Sequence, residues 1–227
     1  KNKMKRLKSE VKVYLYVDEF INYLEAHIAI KTVLLLEAIG IEAAVLPCRD
    51  SSRSLISKGF LKEAKENVNR FMNEIAYIAS DDIPLLGIEP SAILGFRDDY
   101  HRLVNPENKN VLDKISRKTY LIEEFLADYL SKNPLLKEKF SDERKEIIYH
   151  GHCHQKSLSD SKFALDLLSF PSNYSVAEIP SGCCGMAGSF GYEHYDLSMK
   201  IGEMVLFPSV RNAGAKEICA SGTSCRH

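Results

Sequence analysis

The residues best placed to do chemistry are cysteines in glycine-rich and histidine-rich surroundings. Cys183 and Cys184 stand side by side in SGCCGMAGSFG, residues 181–191. Adjacent cysteines rarely pair with each other, because the small ring they would close strains the peptide between them. Gly182, Gly185, Gly188 and Gly191 let backbone approach a bulky group and permit positive φ. A second cysteine, Cys153, sits in HGHCHQK between His150, His152 and His154. Each histidine could ligate a metal, donate a hydrogen bond or move a proton. A third segment, GTSC, ends on Cys225. Thiolates from three separate segments suit zinc or an iron–sulfur centre. Structural zinc sites usually use compact CxxC knuckles, and this chain has none. Wide spacing around a vicinal pair fits a larger inorganic core. Ser181, Ser189, Thr223 and Ser224 stand ready to donate hydrogen bonds to its sulfides. Cys153 precedes a helix, whose N-terminus is expected to lower the thiol's pKa.

Those cysteines need elements that bring them together. Val11–Val17 alternates and is rich in β-formers, so it reads as a strand. Phe20–Ile39 has helical spacing and stops at Gly40. Ala43–Leu46 reads as a strand, Leu55–Ile78 as a long helix, and Pro84–Ile88 as a strand followed by a short helix from Ser91. Asn105–Asn110 reads as a polar loop and Thr119–Leu130 as a helix. Residues 133–145 are polar and read as a linker. Beyond them the order repeats: strand Glu146–His150, helix Lys156–Leu168, strand Val176–Ile179, helix Tyr192–Leu206, strand Glu217–Ala220. Strands alternating with helices predict parallel sheets with crossover helices. The expected fold is α/β, with two pseudo-repeated Rossmann-like halves, each a small parallel sheet flanked by helices. Their expected spans are 11–132 and 146–227, after a linker at 1–10.

Spacing supports the duplication. The interval from Glu19 to Asp50 matches that from Cys153 to Cys183 within one residue. The interval Ser51–Glu89 equals Cys184–Gly222, and Glu89–Ala92 equals Gly222–Cys225. Each set falls at the carboxyl ends of strands, where open α/β sheets place ligands. Only the second half carries thiols there. Glu19, Asp50 and Glu89 are expected at one sheet edge. They would hold a cation, or pair with Arg53, Lys58 and Arg97 as the remnant of a lost site, and the second reading is preferred.

The totals narrow the function classes. The 227 residues are 45% apolar, enough for one α/β domain or two small halves. A net charge of −1 gives no reason to expect nucleic acid or an anionic membrane as partner. No apolar run reaches the roughly 20 residues of a transmembrane helix. The basic first ten residues are followed by no apolar export segment. Clustered cysteines therefore favour metal or redox chemistry over disulfides. The chain reads as a piece of a longer cytoplasmic polypeptide, which could work at the inner face of the membrane.

The phrases HGHCHQKSL, SGCCGMAGSFGYEHYDLSMKIGE and GTSCRH resemble the cysteine-rich "CCG" domain family. That family includes the B subunit of heterodisulfide reductase, the iron–sulfur subunits of anaerobic glycerol-3-phosphate dehydrogenase and glycolate oxidase, and lactate-utilisation proteins. YVDEFINY, SRSLISKG and GIEPSAILGFRDDY are similar to the same branch, the C-terminal domain of FAD-linked D-2-hydroxyacid dehydrogenases of the D-lactate and D-2-hydroxyglutarate type. The resemblance spans residues 11–227. It implies a 4Fe–4S cluster of the non-cubane kind, with Cys153, Cys183, Cys184 and Cys225 as ligands. The first cysteine of the family's CxxC is Gly222 here, so one family ligand is missing. Cys219 lies on a strand and Cys48 ahead of the pair position, and both are expected to be bystanders.

The resemblance thus implies an iron–sulfur electron-transfer domain passing electrons from a flavin to an acceptor. Its partners would be the flavin-binding domain and another Fe–S domain of the same polypeptide. FAD would bind only in the longer protein, so this piece alone would not turn over substrate. The alternative is a zinc-stabilised structural or docking domain using the same thiols. A nucleotide-binding loop is a weaker third reading, because Gly185, Gly188 and Gly191 give GxxGxxG and not GxGxxG.

Overall fold

The structure, a computed structural model, describes residues 11–227. The linker expected at 1–10 lies outside them. The first sheet contains β1 (Val11–Tyr16), β2 (Ile41–Val45), β3 (Leu85–Gly87) and β4 (Thr119–Leu121), in the order β2-β1-β3-β4. The second contains β5 (Lys145–His150), β6 (Tyr174–Glu178) and β7 (Glu217–Ala220), in the order β6-β5-β7. Every strand pair is parallel. The protein is therefore α/β, with two small parallel sheets flanked by helices. In each sheet the first strand is central, and the next two in sequence pair on either side of it. This strand order is the same in both sheets.

Strand β1 shows why such sheets need cover on both faces. Val13 and Leu15 point into one cluster with Ile21, Leu36, Ile41, Leu126 and Leu130. Tyr16 points the other way, against Phe71, Phe96 and Tyr100. The period of two along the strand separates the clusters. The second sheet has a much smaller core, built on Ile179, Cys184 and Leu206. It leans on the first: Leu167 and Phe170 pack into the cluster beneath the helix Ile122–Lys132, and Phe140 meets Phe170 edge-on at 5.3 Å.

Several helices differ from the sequence expectation. The helix expected over 20–39 is broken at Glu25 into Glu19–Leu24 and Ala26–Ala38. The one expected over 55–78 is Arg53–Ser57, then Leu61–Glu74, separated by Gly59 at φ 80°. The polar "loop" from Asn105 instead opens the helix Pro106–Ser116, with proline at its first turn. Thr119–Leu121 is strand β4 and the helix starts after it. The helix expected over 156–168 divides into Cys153–Leu158 and Lys162–Leu168. That expected over 192–206 divides into Phe190–Glu193, Tyr195–Met204 and Leu206–Arg211. Among the described residues, no helix is long and apolar enough to cross a membrane.

Candidate metal centre

Each expected cysteine follows the carboxyl end of a strand of the second sheet. Cys153 opens the helix after β5, Cys183 and Cys184 lie in the loop after β6, and Cys225 sits in the helix Thr223–Arg226 after β7. Because β6 and β7 flank β5, the chain leaves β5 toward one neighbour and returns on the other side. The loops diverge there and leave a crevice. All four thiols line one cavity of about 500 Å³. Its opposite wall comes from the first half, through Phe20, Arg53, Glu89 and Ser91.

Within the cavity the thiols differ. Cys153 and Cys183 are exposed, whereas Cys184 is 9% exposed. The Cys184 and Cys225 sulfurs and a ring nitrogen of His150 all lie within 4.8 Å of one another. Cys184 is pushed down to about 4 by the Cys225 thiol beside it, helped by His150. Cys225 is pushed up by sharing its proton with Cys184 and by burial. Of the two, Cys184 is the one whose thiolate is favoured. Burial and the neighbouring Cys183 raise Cys153 to about 11. This rise runs opposite to the lowering expected from the helix N-terminus, and its causes are partial burial and the thiols beside it.

Gly185 sits at φ +93°, and a Cβ there would lie 2.4 Å from the carbonyl oxygen of Ser198. Only glycine lets the chain turn so tightly behind the cysteine pair. The turn aims the Gly185 N–H at the Cys183 sulfur, 3.3 Å away. The hydroxyls expected to serve sulfides are partly engaged elsewhere. Ser181 Oγ meets His150 Nδ1 at 2.6 Å, and Thr223 Oγ1 donates to Glu25 Oε2 at 2.7 Å. Ser189 and Ser224 line the cavity.

Gly222, where the resemblance drawn from the sequence implies a cysteine, has a physical explanation. A Cβ at this position would lie 2.1 Å from His152 Cδ2. His152 is 5% exposed, and its Nδ1 accepts from His154 N at 3.1 Å, capping the Cys153 helix. Its imidazole fills the space a side chain at 222 would need. Burial lowers the pKa of His152, against the pull of Glu89, whose Oε1 lies 3.8 Å from its Nε2. Cys219 lies on β7 near Glu123 and is absent from the cavity wall, as is Cys48.

The acids of the first half were expected to pair with Arg53, Lys58 and Arg97. They do not. Arg53 binds Asp99, Lys58 binds Glu193, and Arg97 binds Glu124. Glu19 accepts from Ser51 N at 2.8 Å and from Ser51 Oγ at 2.7 Å, and Asp50 Oδ1 accepts from Ser52 N at 2.6 Å. Serine hydroxyls and backbone donors close the space that thiols occupy in the second half. The backbone correspondence persists: Ser52, like Gly185, has positive φ.

Sequence reasoning missed what Glu25 and Glu89 do. Glu89 Oε2 accepts from Thr223 N at 2.7 Å, and Glu25 takes the Thr223 hydroxyl and the Arg226 guanidinium. Two carboxylates of the first half thus grip the short helix that carries Cys225. Hydrogen bonds to charged groups contribute about 1.5–3 kcal/mol each. The Arg226 ion pair holds the Glu25 carboxyl below the ordinary range. The break in the helix at Glu25 is what turns its side chain across to the second half.

The chain is 27% identical over 225 residues to D-2-hydroxyglutarate dehydrogenase of Escherichia coli (strain K12), covering 94% of this chain and 20% of that protein. It is 24% identical over 213 residues to a subunit of anaerobic glycerol-3-phosphate dehydrogenase of the same strain, covering 91% of this chain and 52% of that protein. It is also 24% identical over 224 residues to lactate utilization protein A of Bacillus pumilus (strain SAFR-032), covering 95% and 89% respectively. The chain spans about a fifth of the D-2-hydroxyglutarate dehydrogenase and about half of the glycerol-3-phosphate dehydrogenase polypeptide. No protein-family model matches it.

Proposed function

We propose that this chain is the iron–sulfur electron-transfer domain of an oxidoreductase, of the cysteine-rich CCG kind. In the longer protein it would take electrons from a flavin domain that oxidises a D-2-hydroxyacid. One observation carries the reading. Four thiols from three loops, distant in sequence, line one cavity at the switch point of a parallel sheet. Similarity to parts of two larger dehydrogenase polypeptides supports a redox role.

The residues present fit such a centre. His150 Nε2 is a buried polar atom with no hydrogen-bond partner among the described residues. Cys184 is a buried thiol whose pKa is lowered by the neighbouring Cys225 and His150. Both are donors that a metal would satisfy. Cys153, Cys183, Cys184 and Cys225 would hold the cluster, which when bound supplies one-electron chemistry at its iron atoms. The chain's own part is to position the thiols, shield one side with the first half, and leave Cys153 and Cys183 toward solvent. In this reading residues 11–132 are a half that has lost its cluster and now braces the Cys225 turn.

A zinc-stabilised docking domain is the second reading. The observation favouring it is the mixed set of one imidazole nitrogen and two sulfurs within 4.8 Å, a donor combination zinc accepts readily. Anaerobic reconstitution with iron and sulfide, followed by metal analysis and a reductive titration, separates the two. The electron-transfer reading expects bound iron and labile sulfide with reversible bleaching on reduction. Zinc retained, with no iron or sulfide taken up, would establish the second reading instead.

A further inference from the structure

Of the three histidines around Cys153, His150 is the one with a fully buried ring nitrogen that has no hydrogen-bond partner among the described residues. His152 spends Nδ1 on its helix cap and turns Nε2 toward Glu89. His154 is only partly buried at the cavity wall, where water reaches it. His150 is 1% exposed. Its Nδ1 is fixed by Ser181 Oγ at 2.6 Å, and its Nε2 has no partner among the described residues. A ring nitrogen of His150 lies within 4.8 Å of the Cys184 and Cys225 sulfurs.

We infer that His150 is a metal ligand, acting through Nε2 together with Cys184 and Cys225, with Ser181 as the residue that positions its ring. The inference rests on reading the cavity as a metal centre. Three features of the chain support it. The ring enters from the end of β5, the central strand: His150 pairs with Ala220 of β7, and the preceding Tyr149 pairs with Glu178 of β6. A hydroxyl on Nδ1 fixes the ring plane and can accept the Nδ1 proton in a hydrogen bond when Nε2 binds a metal. His150 Nε2 makes no hydrogen bond of good geometry although the Cys184 sulfur lies beside the ring, and a metal held by both would satisfy them. The cavity lacks a sulfur at Gly222, because His152 fills that space, while His150 stands behind the cavity wall, within reach of the Cys184 and Cys225 sulfurs. The Cys184–Cys225–His150 group is thus a mixed nitrogen–sulfur site.

Cobalt(II) alone is the probe, added anaerobically to the chain, because its spectrum reports donors without any turnover. X-ray absorption at the cobalt edge should show nitrogen and sulfur scatterers together in the wild type. The nitrogen contribution should fall in His150→Gln while thiolate-to-cobalt charge transfer remains. Ser181→Ala keeps every ligand but frees the ring, and should weaken cobalt binding by about 10- to 100-fold. Circular dichroism of each variant checks that it is folded. If His150→Gln fails to fold, Ser181→Ala and the wild-type nitrogen scatterers decide. A wild-type cobalt site with sulfur donors only, or no cobalt binding at all, overturns the inference. Iron and sulfide uptake is scored separately. Uptake without nitrogen ligation leaves the electron-transfer reading standing and removes His150. Cobalt bound through His150 without iron uptake keeps His150 and removes the cluster.

Discussion

Replacing Gly222 by alanine should destabilise the protein through one identifiable contact. The backbone at Gly222 has φ −92° and ψ 143°, which any residue adopts without strain. The added methyl would lie 2.1 Å from His152 Cδ2 and 2.9 Å from its Nε2. Atoms cannot stay that close, and His152 is buried and hydrogen-bonded as a helix cap. Overpacking of a tight interior costs about 1–3 kcal/mol. Displacing the cap adds about 1 kcal/mol. For a chain of this size a total near 2–4 kcal/mol should lower Tm by roughly 5–15 °C. The assay is a double-mutant cycle with His152→Ala, read by urea denaturation. If the ring is the obstacle, the alanine at 222 should cost little once the ring is gone. The coupling energy should then exceed about 1 kcal/mol in the compensating direction. Additive effects of the two substitutions would refute the claim that His152 occupies the space a side chain at 222 would need.

Other outcomes follow from the same interface. Asp18 is 1% exposed, its Oδ1 accepts from Phe20 N and Ile21 N, and its Oδ2 has no partner among the described residues. Burial and the nearby Glu89 raise its pKa to about 7. The folded value lies above the unfolded one of about 4. Its contribution is therefore fully present below pH ~4 and is lost as pH rises through about 7. Asp18→Asn should flatten the fall in urea midpoint over that window; parallel curves would contradict this. Glu25→Ala leaves the Arg226 guanidinium without its carboxylate. The cost should be about 3 kcal/mol, low in the range for a broken buried pair, because the Arg226 side chain is 23% exposed. Glu25 is held below its ordinary value, so its stabilisation is present above the carboxylate range and lost as pH falls through the depressed value. Wild-type and Glu25→Gln stabilities, compared by urea titration down to pH 3, should therefore converge at the acid end. A gap that stays constant with pH would count against the ion pair.

The sequence made some features legible and hid others, for physical reasons. The strands carrying the site are short apolar runs ending at histidine or glycine-rich loops. Their order with the intervening helices predicts the parallel sheets that the structure has. The helix break at Glu25 was not legible, because apolar residues keep helical spacing through it. Only the distant Thr223 and Arg226 draw that side chain out of register. Strand β4 was hidden for the opposite reason. It has three residues, flush against a helix, too few to show a period. The helix Pro106–Ser116 reads as polar since its buried face is only Asn108, Leu112 and Ile115. At the candidate centre, sequence named the thiols but could not choose among His150, His152 and His154. That choice depends on which ring nitrogen is already spent, and Ser181, the hydrogen-bond partner of His150, is far away along the chain. The grip of Glu25 and Glu89 on the Cys225 turn was equally invisible, being a contact between halves.

The most direct measurement is iron and acid-labile sulfide per chain after anaerobic reconstitution, taken across single Cys→Ser variants. Serine at 153, 183, 184 or 225 should sharply reduce both, while Cys48→Ser and Cys219→Ser should match the wild type. Equal loading in all six variants, or loss centred on Cys48 or Cys219, would contradict a centre built from those four sulfurs.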